Sequence, residues 1–212
     1  MNKTLQRSFG ILALAFAAAT ANATVIQSAV SATASSSFDG CCSIDRTIDQ
    51  SGLLTTFTSG VTDFDTYIAS NPIHSYPFSN EWFSVYGTSS ATVTYDMGAA
   101  LTIDRMAYWA EDADANALTI DAFGSSDGIN YFLLAAGLLP TNHAIADYPV
   151  DVFAWTASSM RYIKLEITNC AWCSIGEVAF SVGPAAVPEP GSLALLGLGL
   201  AGLGALRRRK AA

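Results

Sequence analysis

The C-terminal residues 187–212 constrain the chain most, because they cannot belong to a packed globular domain. Val187-Pro188-Glu189-Pro190-Gly191 is followed by the uncharged run Leu193–Leu206, and then by Arg207-Arg208-Arg209-Lys210. The prolines cannot continue a helix or a sheet ladder, so they separate this segment from what precedes it. As a helix the apolar run extends roughly 22 Å, short of a ~30 Å hydrocarbon core. We therefore expect a short transmembrane helix whose basic end stays in the cytoplasm.

The order of these three parts resembles the PEP-CTERM sorting signal of Gram-negative bacteria, with Val187, Pro188, Glu189 and Pro190 as the sorting motif. The resemblance implies processing by exosortase, a membrane protease that cuts near the Pro-Glu-Pro sequence. The protein is then released or attached at the cell surface, and exopolysaccharide production usually accompanies such proteins. An ordinary C-terminal membrane anchor is the alternative. In both cases the preceding residues lie outside the cytoplasm.

The N-terminal residues predict export by a secretory signal peptide. Lys3 and Arg7 are basic, residues 11–19 are apolar, and Ala21-Asn22-Ala23 is a small-residue cleavage site. We expect the mature chain to start at Thr24. Before processing it would be anchored in the inner membrane with its domain in the periplasm. The sequence thus divides into a signal peptide, a domain and a sorting signal, at 1–23, 24–186 and 187–212.

The central domain is strongly acidic. Six of the ten Lys and Arg residues lie in the terminal segments, and only Glu189 of the 18 acids lies there, so residues 24–186 carry four bases and 17 acids. The resulting net charge of −13 argues against nucleic acid and anionic lipid as partners, because a phosphate backbone requires a basic face. It suits a solvated exported domain, or one that binds Ca²⁺ through carboxylates.

Period-two alternation and β-branched or aromatic residues dominate the domain. Strands are predicted at 25–30, 82–86, 91–97, 101–109, 117–123, 131–134, 150–155, 161–168 and 175–182. No long helical period appears between the two terminal segments. Many short strands with turn signals between them predict an all-β sandwich.

Five fragments, in order, resemble discoidin-type domains, the coagulation-factor C-type, galactose-binding-like jelly rolls. They are Thr47-Ile48-Asp49-Gln50-Ser51, Tyr95-Asp96-Met97-Gly98 with Ile103-Asp104-Arg105, Phe123-Gly124-Ser125-Ser126-Asp127-Gly128-Ile129-Asn130-Tyr131, Met160-Arg161-Tyr162-Ile163-Lys164-Leu165-Glu166, and Ile175-Gly176-Glu177-Val178. The resemblance implies a jelly-roll β-sandwich that acts as a binding module for extracellular polysaccharide and not as an enzyme. A structural or adhesive matrix protein without a specific ligand is the alternative, and a secreted glycan or ester hydrolase is a third hypothesis.

All four cysteines, Cys41, Cys42, Cys170 and Cys173, lie in the exported domain, where disulfides are the default. The sequence leaves the three possible pairings open. Because discoidin-type domains often tie their first and last strands together, the resemblance implies a bond between the Cys41-Cys42 segment and the Cys170–Cys173 segment. Such a link closes a loop of about 130 residues and contributes up to ~5 kcal/mol in the entropic treatment. A redox C-x-x-C motif and a four-thiolate zinc site are the alternatives.

Asp45, Asp49 and Glu177 are candidate ligands for Ca²⁺, which takes six to eight oxygen atoms. A loop with Asp49 and Ser51 that meets Glu177 on the last strand resembles the structural calcium site of many galactose-binding-like domains. The simpler alternative is that Asp49 caps its own turn and Glu177 is exposed on a strand. The acidic loop 111–116 is a second calcium candidate, but a solvated loop is the favoured interpretation.

The loop 71–78 is rich in aromatic residues and precedes Trp82. Sugars stack on aromatic faces and bond to neighbouring polar groups, so His74, Tyr76 and Trp82 are candidate ligand-binding residues. The simpler interpretation is that Tyr76 and Phe78 pack inward at one end of the sandwich. The segment 124–128 matches the G-x-S-x-G pattern of hydrolases, but it lies between two predicted strands and is interpreted as a hairpin turn.

Exosortase processing predicts that the mature protein lacks the apolar segment Leu193–Leu206. Mass spectrometry of the cell-surface fraction tests this, with cells that lack exosortase as the control. We expect C-terminal peptides that end near Pro190 in the wild-type cells only. A mature pool that still contains the Arg207–Lys210 peptide would contradict the prediction.

Overall fold

The structure is a computed structural model. It describes residues 24–38, 40–76, 78–110, 118–143 and 146–183. The predicted signal peptide, the acidic loop 111–116 and the predicted sorting signal lie outside these residues. Within the described ranges, no helix has the length and apolar character needed to cross a membrane.

Strands make up most of the regular structure. They are β1 (Val25–Gln27), β2 (Ser31–Ala34), β3 (Ile73–His74), β4 (Trp82–Phe83), β5 (Ser90–Trp109), β6 (Thr119–Ser125), β7 (Phe132–Leu138), β8 (Tyr148–Pro149), β9 (Asp151–Thr168), β10 (Ser174–Ile175) and β11 (Glu177–Val182). One α-helix, α1 (Phe64–Ala69), and two 3-10 helices, Ile44–Thr47 and Phe78–Asn80, complete the elements. The main sheet has the order β1-β11-β5-β9-β6-β7, with β2 also beside β5, and two ribbons pair β10 with β4 and β3 with β8.

The two longest strands, β5 and β9, each join segments that the sequence analysis separated. In β5 the predicted break falls at Gly98, which has a φ of 76°, and the register with β9 shifts between Asp96 and Leu101. Glycine adopts this conformation without steric cost, so the strand bulges there without ending. The inward residues of β5, β6, β9 and β11 share one hydrophobic cluster. The all-β sandwich predicted from the sequence is confirmed.

The last strand, β11, is buried on both faces, and all six of its residues are buried. Val178 and Phe180 belong to the main cluster, whereas Ala179 between them belongs to a second cluster with Trp109 and Phe64. A strand that is covered on both sides loses the polar alternation of a half-exposed strand. The second cluster therefore requires an additional layer over β11.

The short helix α1 supplies part of this layer and was not predicted. The Asp63 carboxylate accepts a hydrogen bond from Thr66 N at 2.8 Å and caps the helix. Phe64 and Tyr67 are buried, and both pack in the second cluster. Six residues are too few to produce the helical period that a sequence search relies on.

Candidate functional site

The early loop and the last strand meet, as the sequence analysis expected. Gln50 has a φ of 60°, and its backbone N–H donates to Glu177 Oε2 at 2.9 Å. Glu177 is fully buried, contrary to the alternative in which it is an exposed strand residue. Its Oε1 has no hydrogen-bond partner among the described residues. Burial raises the pKa of Glu177 well above its ordinary value, the Gln50 N–H opposes that rise, and the nearby charge of Asp49 adds to it.

Asp49 and Ser51 form a capped turn beside this carboxyl group. Asp49 Oδ1 accepts from Ser51 N at 2.9 Å, and Oδ2 lies 3.2 Å from Arg46 Nη1. Asp45 accepts from the Ser43 hydroxyl at 3.3 Å, at the start of a 3-10 helix. Within the described ranges, no three Asp, Glu, His or Cys side chains gather as a metal site. A cation at this junction would need backbone carbonyl oxygens as most of its ligands.

His74 lies in the interior, next to this junction. An added Cβ at Gly52 would be 1.9 Å from His74 Nε2, so the close approach of the ring requires glycine at that position. The imidazole stacks on Tyr148 with a centroid distance of 5.0 Å, and His143 stacks on Tyr148 at 6.0 Å. The Tyr148 hydroxyl donates to the buried Glu81 carboxyl group at 2.8 Å. Burial lowers the pKa of His74 to about 4, because an imidazolium ion would lose its hydration there.

The predicted aromatic ligand site is not assembled as the sequence analysis expected. Trp82 has no exposed surface, packs in the main cluster, and donates from Nε1 to Ser37 Oγ at 2.9 Å. His74 has no exposed surface either. A ligand outside the domain cannot contact these two side chains, so that part of the prediction needs correction. Tyr76 is partly exposed, with its N–H on Asp147 Oδ1 at 2.9 Å, and its role as a ligand contact stays a prediction.

The disulfides are present, but their pairing differs from the expected link between the two ends of the domain. Cys41 pairs with Cys42, and Cys170 pairs with Cys173. Each bond therefore closes a very short loop. In the entropic treatment a four-residue loop contributes about 2 kcal/mol, against ~5 kcal/mol for a loop of about 130 residues. The ends of the domain are instead joined by strand pairing, with Val25 opposite Val182.

An aromatic cluster that the sequence analysis missed surrounds Trp172. The ring centroids of Phe38, Phe83 and Tyr86 lie 5.3, 4.7 and 5.4 Å from that of Trp172. Trp172 Nε1 donates to the Ser84 carbonyl at 2.6 Å, which fixes the indole. Tyr86 is 72% exposed and contacts Trp172 edge to face. We call these four rings the Trp172 cluster.

A cavity of ≈ 420 Å³ opens beside the Trp172 cluster, and Phe38 belongs to both. Its lining combines hydroxyl groups, a glycine, an aromatic ring and the Cys41–Cys42 disulfide, from Ser37, Phe38, Gly40, Cys41, Cys42, Ser43 and Ile44. Phe38 is held there because its N–H donates to the Phe83 carbonyl at 2.8 Å. The depression is shallow and wide open, and its lining mixes polar and apolar groups in similar measure, so it differs from the enclosed, mainly apolar pocket of a drug-sized ligand.

The G-x-S-x-G pattern forms a turn between β6 and β7, as predicted. Asp127 Oδ1 accepts from Ile129 N at 2.9 Å and from Asn130 N at 2.8 Å. Ser125 Oγ accepts from Gly128 N at 2.9 Å. The acid and the first serine therefore stabilise the hairpin, and the element that follows it is strand β7 and not the helix of a nucleophile elbow.

A family model for the PEP-CTERM protein-sorting motif matches residues 186–210. The chain therefore carries this sorting motif, and the prediction made from the Pro-Glu-Pro sequence, the apolar run and the basic tail is confirmed. The comparison with curated proteins returned no match.

Solved structures of carbohydrate-binding modules have the same fold. The structure described as the CBM32 module of AlyQ in complex with 4,5-unsaturated mannuronic acid is 21% identical, with a TM-score of 0.50, over 74% of this chain and 97% of that one. Truncated AlyQ with CBM32 and alginate lyase domains is 21% identical, with a TM-score of 0.53, over 78% of this chain and 35% of that one. The chain thus spans about a third of the second protein. These similarities confirm the discoidin-like fold.

We predict that His74 makes the domain less stable in acid. Because its pKa is about 4 in the folded protein and 6.5 ordinarily, the unfolded chain takes up the proton first as the pH falls. The stabilisation is present above pH 6.5 and is lost progressively toward pH 4, by up to about 3 kcal/mol. Urea unfolding of the wild type and of His74→Phe, from pH 7.5 to 4, measures this.

Glu177 acts in the opposite direction, because its raised pKa makes the folded state take up a proton before the unfolded chain does. This contribution to stability is fully present below pH 4.5, the ordinary pKa of a glutamate. It is lost as the pH rises through the higher pKa that Glu177 has in the folded protein. It is common to both proteins, so the difference between their unfolding free energies isolates His74. A difference that does not change with pH would show that His74 does not titrate as described.

Proposed function

We propose that this protein is exported to the cell surface, where its β-sandwich binds polysaccharide and does not cleave it. The sorting motif supports an exported protein with a C-terminal anchoring signal. We further propose that exosortase is the processing partner, and that the precursor is held in the inner membrane with its domain in the periplasm. The carbohydrate-binding modules that share the fold support a carbohydrate ligand.

The observation that carries the binding proposal is the Trp172 cluster beside the open cavity. Tyr86 presents a largely exposed ring whose orientation is fixed by Trp172, and the indole is itself fixed by its bond to the Ser84 carbonyl. The C–H face of a sugar ring packs favourably on a pre-oriented aromatic face, since little side-chain freedom is lost on binding. Hydroxyl groups of Ser37 and Ser43 in the cavity supply hydrogen-bonding partners.

The acidic charge of the domain favours neutral polysaccharides over anionic ones as ligands. Of its four basic side chains, Arg46, Arg105, Arg161 and Lys164, each forms an ion pair with a carboxylate. With a net charge of −13 and these cations already paired, the domain repels polyanions at physiological ionic strength. We therefore propose a neutral polysaccharide as the ligand, unlike the uronic acid in the complex of the AlyQ module.

We predict that Tyr86→Ala weakens binding to a neutral polysaccharide about tenfold, since loss of one stacking contact costs about 1.4 kcal/mol. The matched control is Tyr162→Ala, which removes a partly exposed ring that packs on Arg161. Affinity electrophoresis in gels containing a neutral glucan, or an alginate for comparison, measures both variants. Equal affinity of wild type and Tyr86→Ala, or tighter binding to alginate, would contradict the proposal.

We also propose one structural Ca²⁺, held by Glu177, Asp49 and backbone carbonyls of the early loop, with Ser51 in that loop. The buried Oε1 of Glu177 supports this proposal, because a divalent cation would replace the hydration that this atom has lost. The proximity of the Asp49 charge to Glu177 supports it as well, because a cation between two carboxylates offsets their repulsion.

If the ion binds only the folded state, millimolar Ca²⁺ raises the melting temperature of metal-stripped protein by mass action. Glu177→Gln should remove most of this shift, because it keeps an oxygen for Gln50 N but loses the charge. Glu166→Gln is the matched control, as it neutralises a carboxylate that pairs with Lys164 on the sheet surface. Identical melting curves in Ca²⁺ and in EDTA would rule the site out.

A further inference from the structure

A second open depression, of ≈ 410 Å³, lies where the start of β5 meets the end of β9. Ser90 and Thr168 face each other in this strand pair, and both are exposed in its lining. Ser35 and Thr92 add two more hydroxyl groups to the lining, and Ser35 Oγ accepts from Thr92 N at 3.0 Å. A hydroxyl group both donates and accepts hydrogen bonds, so this lining is suited to a ligand that itself carries many hydroxyl groups.

A continuous ridge joins the second depression to the Trp172 cluster. The loop after β4 and the segment after β9 run side by side in opposite directions. At one end of the ridge, Ser90 pairs with Thr168. At the other end, Ser84 N donates to the Cys173 carbonyl at 2.8 Å. Tyr86 lies between Ser84 and Ser90 in the sequence and is 72% exposed, so its ring stands on the ridge.

The segment that follows β2 borders both depressions. Ser35 lines the second depression, and Ser37 lines the first one, beside the Trp172 cluster. Two residues of an extended chain span at most about 7 Å. Ser36 Oγ between them accepts from Val85 N at 3.4 Å, which holds the segment against the ridge. The two depressions are therefore adjacent parts of one surface.

This surface is uncharged, in contrast to the domain as a whole. The segments 35–38, 84–90 and 168–173 contain no Asp, Glu, Lys or Arg, and eight of their 17 residues are Ser or Thr. Glu166 is the charged residue in the lining of the second depression, and its carboxylate pairs with Lys164 Nζ at 2.6 Å. Hydroxyl groups and aromatic faces without a net charge suit a neutral sugar chain.

We propose that the two depressions and the ridge between them form one extended site, which binds an internal stretch of a neutral polysaccharide and not the end of the chain. An enclosed pocket would bury most of a small ligand, whereas both of these depressions are open, so a chain can continue past each of them. This inference rests on the proposed function, and it adds a second group of contacts beyond the Trp172 cluster.

The two groups of contacts reinforce each other. When one sugar stacks on Tyr86, the neighbouring sugars of the same chain are tethered close to Ser90 and Thr168. Their binding is then intramolecular and occurs at a high effective concentration. Affinity should therefore increase with the length of the chain until both depressions are filled.

Isothermal titration calorimetry of the full chain in mild detergent tests this inference, with neutral oligosaccharides of two to eight residues from a glucan, a mannan and a galactan. For the series that binds, we expect affinity to rise at least tenfold with length and then to reach a plateau. Tyr86→Ala should weaken the binding of every length. Thr168→Val should weaken only the long oligosaccharides, by about fivefold, because one hydrogen bond is lost at the second depression.

Thr156→Val is the matched control, since it removes the hydroxyl group of another exposed threonine in the first half of the same strand, and it should leave every length unchanged. If Thr168→Val fails to fold by its melting curve, Ser90→Ala tests the same depression. The number of binding sites gives a second readout. Long and short preparations of the bound polysaccharide should offer equal numbers of sites at equal mass, whereas recognition of chain ends gives fewer sites on longer chains.

Affinity that does not depend on length would overturn the inference and leave the proposed function in place. So would a number of sites that follows the number of chain ends, or a Thr168→Val protein that binds long oligosaccharides as tightly as the wild type does. A protein that binds none of the three series, or that binds them equally well with Tyr86→Ala, would instead contradict the proposed function and this inference with it.

Discussion

The burial of β11 on both faces is the constraint on which the rest of the domain depends. One face of this strand completes the main core, and the opposite face must be covered by residues that come from the loop region before β4. That covering layer contains α1 and brings the early loop against the strand. Gln50 thereby reaches Glu177, and His74 lies between Gly52 and Gly176. The titratable groups are thus buried by the same packing that stabilises the sandwich, and their shifted pKa values follow from it.

The sequence could predict the half-exposed part of the sheet, where periodicity carries the information. In β9, Ile163, Leu165 and Ile167 are buried and alternate with Lys164 and Glu166, and this pattern is visible in the sequence. The sequence could not show that β5 bulges at Gly98 and continues, because a glycine at such a position is equally typical of the end of a strand. Helix α1 is capped by Asp63, but one capping residue before a single turn of helix is a weak signal. The terminal sorting motif was predictable because its three parts are contiguous.

The candidate binding surface was not predictable for a different reason. The Trp172 cluster gathers rings from three separate segments, which are brought together by the antiparallel pairing of β4 with β10 and by the backbone bond from Phe38 to Phe83. The sequence offered Trp82, His74 and Tyr76 because they are neighbours along the chain. Folding buries Trp82 in the core. Tyr86, three residues beyond the end of β4, is exposed. The disulfides show the reverse, since each cysteine is bonded to its nearest neighbour in the sequence and not to a cysteine at the other end of the domain.

The pairing of Val25 with Val182 has a mechanical consequence. The chain leaves the domain through β11, which runs between β1 and β5 and is hydrogen-bonded to both. The sorting motif follows a few residues later in the sequence. If the protein is held at the cell surface through this end, as we propose, a pull on that end acts on β11 first. Its hydrogen bonds to both neighbours are then loaded together along the strand axis, and its buried side chains must slide past two layers. A domain tethered in this way resists detachment under flow better than one anchored through an edge strand, which opens one bond at a time.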